Sequence, residues 1–125
     1  MPDNASRFLA ELASDLPGFA AIVPLSVNSR TAIGETPLQI AAIRGDTSAM
    51  AALIDAGAEL DVRGEHGHTA LHEAVGQRQG AAVSLLLSCG ASATIANDDG
   101  YTAPQLAELL GAHEIRRLFH GPPTA

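Results

Sequence analysis

The chain has no lysine and no tryptophan, and its only aromatic residues are three phenylalanines and one tyrosine. A core with so few rings must be filled by small side chains, so its elements are expected to pack closely. The absence of lysine and a formal net charge of −7 argue against binding to nucleic acid, which requires clustered positive charge. We therefore expect one small, alanine-rich, acidic domain that does not bind nucleic acid.

The chain also has little cysteine and no membrane-targeting segment that the sequence reveals. Cys89 is the only cysteine, so no disulfide can form within the chain, as is typical of a reducing compartment. The fairly apolar segment 16–27 contains Pro17, Gly18 and Pro24, and it is too short to span a bilayer. These features predict a cytoplasmic protein without a membrane partner, and the arginine-only, alanine-rich composition indicates a bacterial source.

What the chain does have is a period of 33 residues. Gly34, Gly67 and Gly100 open the similar phrases GETPLQIAA, GHTALHEAV and GYTAPQLAE. A threonine follows each glycine by two residues, and an alanine follows it by seven. A period of this length is typical of stacked supersecondary units, so it predicts an array of similar units.

Each unit is predicted to contain two helices. In the first unit, Thr36 can cap a helix that ends at Gly45. Thr47 or Ser48 can cap a second helix, which Gly57 ends because glycine favours the left-handed conformation found there. The polar residues that follow predict a projecting loop before the next unit.

The phrase G-x-T-P-L-H-x-A-A, returning after 33 residues, resembles the ankyrin repeat over roughly Val27 to His120. The resemblance implies an all-α solenoid of helix-turn-helix units with short β-hairpin-like loops. On this basis residues 34–66 and 67–99 are predicted to be ankyrin repeats. Residues 100–125 are predicted to form a C-terminal capping repeat and tail.

Two departures from the family pattern affect the framework. Gln39 and Gln105 replace the histidine that the family has in its phrase and that His72 retains, and either side chain can hydrogen-bond to backbone groups. Arg78 stands where the family has a turn glycine. We therefore expect the helix junction of the second unit to be an altered and looser turn.

Residues 1–33 do not repeat the phrase, and we predict that they form capping helices and the end of a degenerate repeat. Ser6 can cap a helix that runs to about Asp15, and a second short helix is expected over 19–23. An array of about three units needs atypical ends to cover its core, so helical caps are expected at both ends.

A cluster of histidines supplies the alternative function. His66, His68 and His72 have a spacing that could supply three ligands to Zn²⁺, so a metal-binding protein is the second hypothesis. The resemblance instead makes His72 a framework residue and places the other two on a loop tip. Cys89 has no neighbouring base, and there is no phosphate-binding motif, so neither an enzyme nor a cofactor is predicted.

The resemblance implies that partners bind the concave side, which consists of the loop tips and the exposed ends of the first helices. The positions varied in engineered ankyrin binders give the predicted partner-binding residues, which are Ile33, Glu35, Ile43, Arg44, Glu65, His66, His68, Gln77, Asp98, Asp99 and Tyr101. Tyrosine is a favoured interface anchor, and the acidic majority predicts a partner with a basic patch. Leu109 and Leu110 are expected to be buried under the C-terminal tail.

The predicted function is therefore that of a non-catalytic module that binds another protein, as an inhibitor or immunity-type protein or as an adaptor. A fragment of a larger array is a third possibility, which the cap-like ends disfavour.

Overall fold

The computed structural model describes residues 4–15, 26–31 and 34–119, and no β-strand forms within these ranges. Over them the chain is all-helical, as predicted. The α-helices are α1 (Asn4–Asp15), α2 (Pro37–Arg44), α3 (Thr47–Asp55), α4 (Ala70–Gly76), α5 (Gly80–Ser88), α6 (Ala103–Leu109) and α7 (His113–Arg116). A 3₁₀ turn at Arg117–Phe119 follows α7, and another at Glu65–Gly67 lies in the loop before α4.

The first helix of every unit begins with the same reciprocal cap. The threonine hydroxyl accepts a hydrogen bond from the N–H three residues later, and the side chain of that later residue accepts one from the threonine N–H. The pairs are Thr36 with Gln39, Thr69 with His72, and Thr102 with Gln105. The predicted helix start at Thr36 is thus confirmed.

The second helix of the first unit starts differently from the prediction. The carboxylate of Asp46, and not the hydroxyl of Thr47 or Ser48, accepts the hydrogen bond, from the Ala49 N–H at 3.1 Å. Three neighbouring residues can serve as a cap, and the backbone bond pattern makes Asp46 the last non-helical one. Gly57 follows the helix end with a φ of 99°, as predicted.

The helices stack unit upon unit. The first helices α2, α4 and α6 pack side by side, and α3 packs against α5. Ala41, Ala74 and Ala107, one in each first helix, have no solvent exposure. Small side chains at these points allow the first helices to approach closely, so the repeating alanine is a packing requirement of the stack.

The N-terminal helix covers one end of the stack. Helix α1 packs against α3 and buries Phe8 and Leu12, and the Arg44 guanidinium lies 6.0 Å from the centre of the Phe8 ring. The helix begins at Asn4, so the prediction that Ser6 caps it is wrong, because Ser6 lies inside the helix. The second helix predicted over 19–23 lies outside the described residues.

The helix junction of the second unit is not the altered turn that we predicted. Arg78 has a φ of 54° and occupies the left-handed conformation that Gly45 and Gly111 occupy in the other units. The same three backbone hydrogen bonds close all three junctions. The Arg78 guanidinium also donates to the Leu110 carbonyl at 2.8 Å and lies 3.3 Å from the Glu114 carboxylate. The side chain therefore ties this junction to the next unit.

The C-terminal unit is less covered than predicted. Leu109 is 60 % exposed and Leu110 is 40 % exposed, so their predicted burial is wrong. Helix α7 packs against α6 and α5, and Ala112 and Ile115 are buried there. Within the described residues, none of the helices combines the length and hydropathy that crossing a bilayer requires.

Candidate functional site

The loops between units share one backbone closure. In each loop an N–H donates to the carbonyl four residues later, at distances of 2.9, 2.8 and 2.8 Å in chain order. The accepting residues are Glu35, His68 and Tyr101, which lie 33 residues apart. These three residues therefore occupy the same place in successive units, and we call them the loop row.

Side chains of one unit hold the loop of the next. The Gln39 amide donates to the Val62 carbonyl at 2.8 Å and to the His68 carbonyl at 3.1 Å. The His72 Nε2 makes the equivalent bond to the Tyr101 carbonyl, at 2.8 Å. The framework residue of each interior unit thus fixes the position of the following loop.

Contacts between neighbouring loops add a second set of ties. The Arg30 guanidinium donates to the Arg63 carbonyl at 2.6 Å, and the Arg63 guanidinium lies 2.8 Å from the Asp98 carboxylate. The Asp98 N–H also donates to the His66 carbonyl at 3.0 Å. The loop tips are therefore joined into one surface.

Gly67 is required where the second and third loops meet. Its φ of 71° lies in the left-handed region, which disfavours other residues. A Cβ atom at this position would clash with the Asp98 carboxylate and would lie 2.8 Å from the Asp98 nitrogen. The conformation and the close approach each call for glycine.

The structure corrects the predicted exposure of Glu35. This residue was expected on an exposed acidic rim, but it is only 9 % exposed. It lies near enough to Glu73 and Glu65 for their charges to act on its carboxyl group. Position in the array explains the difference, because a further unit follows Glu35 while none follows Tyr101 among the described residues.

Glu73 belongs to the same acidic group as Glu35 and Glu65, and the sequence prediction missed it. Its side chain is 16 % exposed, and its Oε1 lies 3.5 Å from the His68 Nδ1. The equivalent residues of the other two units are Ile40 and Leu106, which are apolar. A carboxylate at a repeat position that is otherwise apolar is the signal that could have identified it.

Burial and like charge shift the protonation of this group. Burial, and then the charges of Glu73 and Glu65, raise the pKa of Glu35 above its ordinary 4.5. Burial, and then Glu65, raise the pKa of Glu73 in the same way. Burial, and then His66, lower the pKa of His68 below 6.5, so His68 is neutral at neutral pH. Positive charge on His68 opposes the shift at Glu35, and positive charge on His66 opposes it at Glu73.

The structure places the predicted partner-binding residues in different parts of the molecule. The loops bring one subset together, which consists of Glu35, Glu65, His66, His68, Asp98 and Asp99. Arg44 and Gln77 are exposed at the C-terminal ends of α2 and α4, roughly 10 Å along these helices from the loop ends. Ile43 is half-buried, and Ile33 lies outside the described residues.

Tyr101 lies beside a shallow open groove. The tyrosine is 37 % exposed, and the groove has a volume of about 340 Å³. Its lining residues are Gly100, Tyr101, Gln105, Glu108 and Leu109. An aromatic residue with a neighbouring exposed leucine offers apolar area at the end of an otherwise acidic surface.

The three histidines do not form a ligand set. His72 is buried, and both of its ring nitrogens are engaged. Nδ1 lies 3.1 Å from the Thr69 nitrogen and Nε2 lies 2.8 Å from the Tyr101 carbonyl. The His68 ring stacks on the His72 ring, with centroids 5.4 Å apart. Across the described ranges, no group of three histidine, cysteine or acidic side chains is placed to hold a metal ion.

These repeated caps, stacked first helices and loop ties agree with the comparison of the chain with known families. A family model described as ankyrin repeats (3 copies) matches residues 10–97, which is more than half of the chain. The chain belongs to the ankyrin-repeat family. No curated protein matches it. The ankyrin match starts within α1, so it includes part of the N-terminal segment that lacks the repeated phrase.

Membership in the ankyrin family carries a general functional meaning. Ankyrin repeats generally mediate contacts between proteins, and they are typically non-enzymatic. The family gives the kind of activity, whereas the choice of partner depends on residues outside the repeated framework.

Proposed function

We propose that this ankyrin protein binds another protein through its loop tips and the exposed ends of its first helices, without catalysing a reaction. The observation that carries the proposal is the joined surface of acidic loops. Glu65, Asp98 and Asp99 are exposed there, and hydrogen bonds between units hold the loops that carry them. A surface held in place before binding loses less conformational freedom when a partner associates.

The charge of this surface supports a partner with a basic patch. Arg63 is paired with Asp98, and the Glu65 carboxylate lies 3.6 Å from the His66 Nε2, whereas Asp99 forms no ion pair among the described residues and is exposed at a loop tip. Complementary charge favours encounter and orients the partner. Nucleic acid and anionic membranes would be repelled by the same charge, so they are not proposed as partners.

Tyr101 supplies the proposed apolar anchor. It ends the loop row, where its side chain borders the open groove. Tyrosine is enriched among residues that dominate binding energy, because it combines apolar area with a hydroxyl group. We propose that the remaining contacts come from the exposed predicted residues, which are Arg44, Glu65, His66, Gln77, Asp98 and Asp99. Ile33, Ile43 and His68 complete the proposed set.

We infer that the protein acts as an inhibitor or immunity-type protein, or as an adaptor, in a bacterial cytoplasm. A small binding surface supports either role, and the single exposed Cys89 fits a reducing compartment. Loss of a partner's enzymatic activity on complex formation would identify the inhibitor role. Simultaneous binding of a second protein would identify an adaptor.

The test is affinity capture with the full chain as bait, followed by calorimetry of the purified pair. Tyr101→Ala and Asp99→Arg are the test variants. Asp99 is preferred to Asp98, because Asp98 also ties two loops together. Glu59→Arg is the matched control, since Glu59 is an exposed acid in the loop after α3, away from the tips.

We expect each test variant to weaken binding by about tenfold or more and the control to change it by less than about twofold. Unchanged affinity in both test variants would place the interface elsewhere and refute the proposal. Capture of a nucleic acid in place of a protein would refute it as well.

A further inference from the structure

The C-terminal end of the stack presents a face that the other two units keep covered. Helices α2, α4 and α6 pack side by side, and Gln39 and His72, which face the following unit, are each 1 % exposed. Gln105, the equivalent residue of the third unit, is exposed. No further unit follows the third one among the described residues. The face of α6 that corresponds to an interface between units therefore has no neighbouring unit there.

The Gln105 amide keeps an unused hydrogen-bond donor on this face. Its Oε1 accepts a hydrogen bond from the Thr102 N–H at 2.9 Å, whereas its nitrogen has no acceptor in the part of the chain that the structure describes. The equivalent nitrogens of Gln39 and His72 both bond to carbonyl groups of the next loop. The kind of donor that joins the units elsewhere is thus exposed to solvent in the third unit.

Apolar side chains flank this donor. Tyr101 and Leu109 line the same groove of about 340 Å³ as Gln105, and they are 37 % and 60 % exposed. A leucine and a tyrosine exposed to this degree leave apolar surface in water, and burial of that surface favours association. The face therefore combines an apolar patch with an unpaired amide.

The other end of the stack does not offer a matching place for the second helices of another copy. Helix α1 packs against α3, so it occupies the position that the second helix of a preceding unit would take. Head-to-tail contacts also produce open chains of molecules, whereas a twofold contact closes after two copies. A second copy therefore fits this face best through the same face of its own.

The order of residues on the face suits a twofold contact. Tyr101 precedes Gln105 by four residues, and Leu109 follows it by four. If two copies of α6 pack antiparallel with the twofold axis at Gln105, Tyr101 of each copy lies opposite Leu109 of the other. Thr102 then lies opposite Glu108, since each is three residues from the axis.

The polar groups of the face are complementary in the same arrangement. The Gln105 amide of one copy can donate to the Oε1 of the other, which has a second lone pair besides the one that accepts from Thr102. The Thr102 hydroxyl accepts from the Gln105 N–H at 3.4 Å, so its own proton is available for Glu108 of the second copy. In its own chain, the Glu108 carboxylate lies 3.9 Å from the Arg116 Nε, which is longer than a hydrogen bond.

We propose that the chain forms a twofold-symmetric dimer through this face, so that a second copy of the chain occupies the groove. Tyr101, Gln105 and Leu109 supply the contact. The patch is small, and two chains with a net charge of −7 repel each other, so the expected dissociation constant is on the order of 100 μM. The inference goes beyond the proposed function, because the dimer requires no other protein.

The first test is sedimentation equilibrium of the wild-type chain. We expect a reversible change from monomer to dimer as the concentration rises from about 10 μM to about 1 mM. Salt screens the repulsion between the two acidic chains, so the dimer should tighten by about threefold or more between about 0.05 and 0.5 M sodium chloride. A chain that remains monomeric at the highest concentration in both salts would overturn the proposal.

Matched charge additions then locate the interface. Leu109→Arg places a charge in the groove and is expected to weaken the dimer by about tenfold or more. Ala81→Arg adds the same charge at an exposed position of α5, outside the groove, and is expected to change the dimer by less than about twofold. Equal effects of the two variants would place the interface elsewhere and would also reject the proposal.

A cysteine on the proposed axis tests the symmetry. The double variant Cys89→Ser, Gln105→Cys has its one cysteine where the two copies face each other, whereas the exposed Cys89 of the wild type lies outside the groove. A disulfide requires Cα atoms within about 7 Å, so diamide should link the double variant into covalent dimers and leave most of the wild type unlinked. Circular dichroism checks that the variant is folded, and equal linking of the two folded proteins would contradict the axis.

The dimer and the proposed function can fail separately, because the purified chain alone decides the first and a captured partner decides the second. Suppose that the chain stays monomeric while a partner protein depends on Tyr101 and Leu109. The groove would then belong to that partner, so the dimer would be rejected and the binding function would stand. If the chain dimerises through the axis but no protein partner depends on Tyr101 or Asp99, the dimer stands and the proposed function fails.

Discussion

The second and third units share a phrase but use it in different surroundings. His72 is buried, and its Nε2 bonds to the loop of the following unit. Gln105, at the same place in the third unit, makes the same cap to Thr102 but is exposed. The repeated phrase therefore sets the local conformation of each unit. Position in the array decides which of the equivalent side chains also bond to a neighbouring unit.

The loop row shows the same contrast. Glu35 is 9 % exposed, and Tyr101 is 37 % exposed, although both close their loops in the same way. A following unit covers Glu35. No further unit follows Tyr101 among the described residues, so its side chain is more exposed. Residues that bind partners are therefore best sought at the ends of the array and in the places that stacking covers only in part.

The largest effect should come from removing the framework side chain of the second unit. His72→Ala deletes the cap to Thr69, removes the Nε2 bond to the Tyr101 carbonyl and leaves a cavity where a buried ring was packed, so we expect a loss of about 3 kcal/mol in the free energy of unfolding. Gln105→Ala deletes only an exposed cap and should cost about 1 kcal/mol or less. Urea unfolding measures both, and equal losses would contradict the comparison.

A second contrast uses the glycines of the repeated phrase. Gly67→Ala combines a left-handed backbone with a clash against the Asp98 nitrogen, so it should cost about 2–3 kcal/mol. Gly100→Ala has a φ of 86° but no atom near the added Cβ, so it should cost about 1 kcal/mol. Thermal unfolding gives the ranking, and a larger loss at Gly100 would refute it.

The third contrast concerns how the stability of the fold changes with pH. Burial lowers the pKa of His72 below 6.5, and His68 and Arg63 lower it further, although the Tyr101 carbonyl opposes this shift. The unfolded chain therefore binds a proton at higher pH than the folded chain does. The contribution of His72 to stability is complete above pH 6.5 and is lost as the pH falls toward its folded pKa.

His72→Gln should remove this part of the acid sensitivity, since Gln39 makes the equivalent bonds without titrating. Unfolding curves from neutral to mildly acidic pH measure the difference between the variant and the wild type. Glu35 and Glu73 act in the opposite sense, because raised carboxyl pKa values favour the folded state as the pH falls. A constant difference between variant and wild type would rule out His72 as the titrating group.

The smallest contrast is at the helix junction of the second unit. Arg78→Ala keeps the left-handed strain and loses the bond to the Leu110 carbonyl, whereas Arg78→Gly loses the bond but relieves the strain. The glycine variant should therefore be more stable than the alanine variant by about 1 kcal/mol. Denaturant midpoints measured on both variants provide the comparison, and an alanine variant of equal stability would show that the strain is absent.

The sequence predicts the parts of this fold that depend on neighbours along the chain. Thr36 caps its helix as expected, and Thr69 and Thr102 do the same in their units, because capping involves residues only three positions apart. The exact capping residue is harder to predict where several neighbouring residues can cap. Asp46, and not Thr47 or Ser48, caps α3, and α1 starts before Ser6.

The candidate site was harder to predict, because burial there depends on contacts between units. Glu35 was expected to be exposed, and Glu73 was not selected, although its neighbour His72 was. Leu109 and Leu110 were expected to be covered, but the described chain leaves them exposed. Comparing each repeat position with its equivalents would have found Glu73, whereas the exposure of Glu35 required the stacked structure.

The ties between loops have a kinetic consequence. Arg30, Arg63 and Asp98 join successive loop tips, so a partner that binds as proposed would meet a surface whose parts are already in place. Association then needs no slow rearrangement, and its rate should follow diffusion and charge attraction and fall as salt is added. Differences in affinity among variants of the exposed tips would accordingly appear in how long the complex lasts, and less in how quickly it forms.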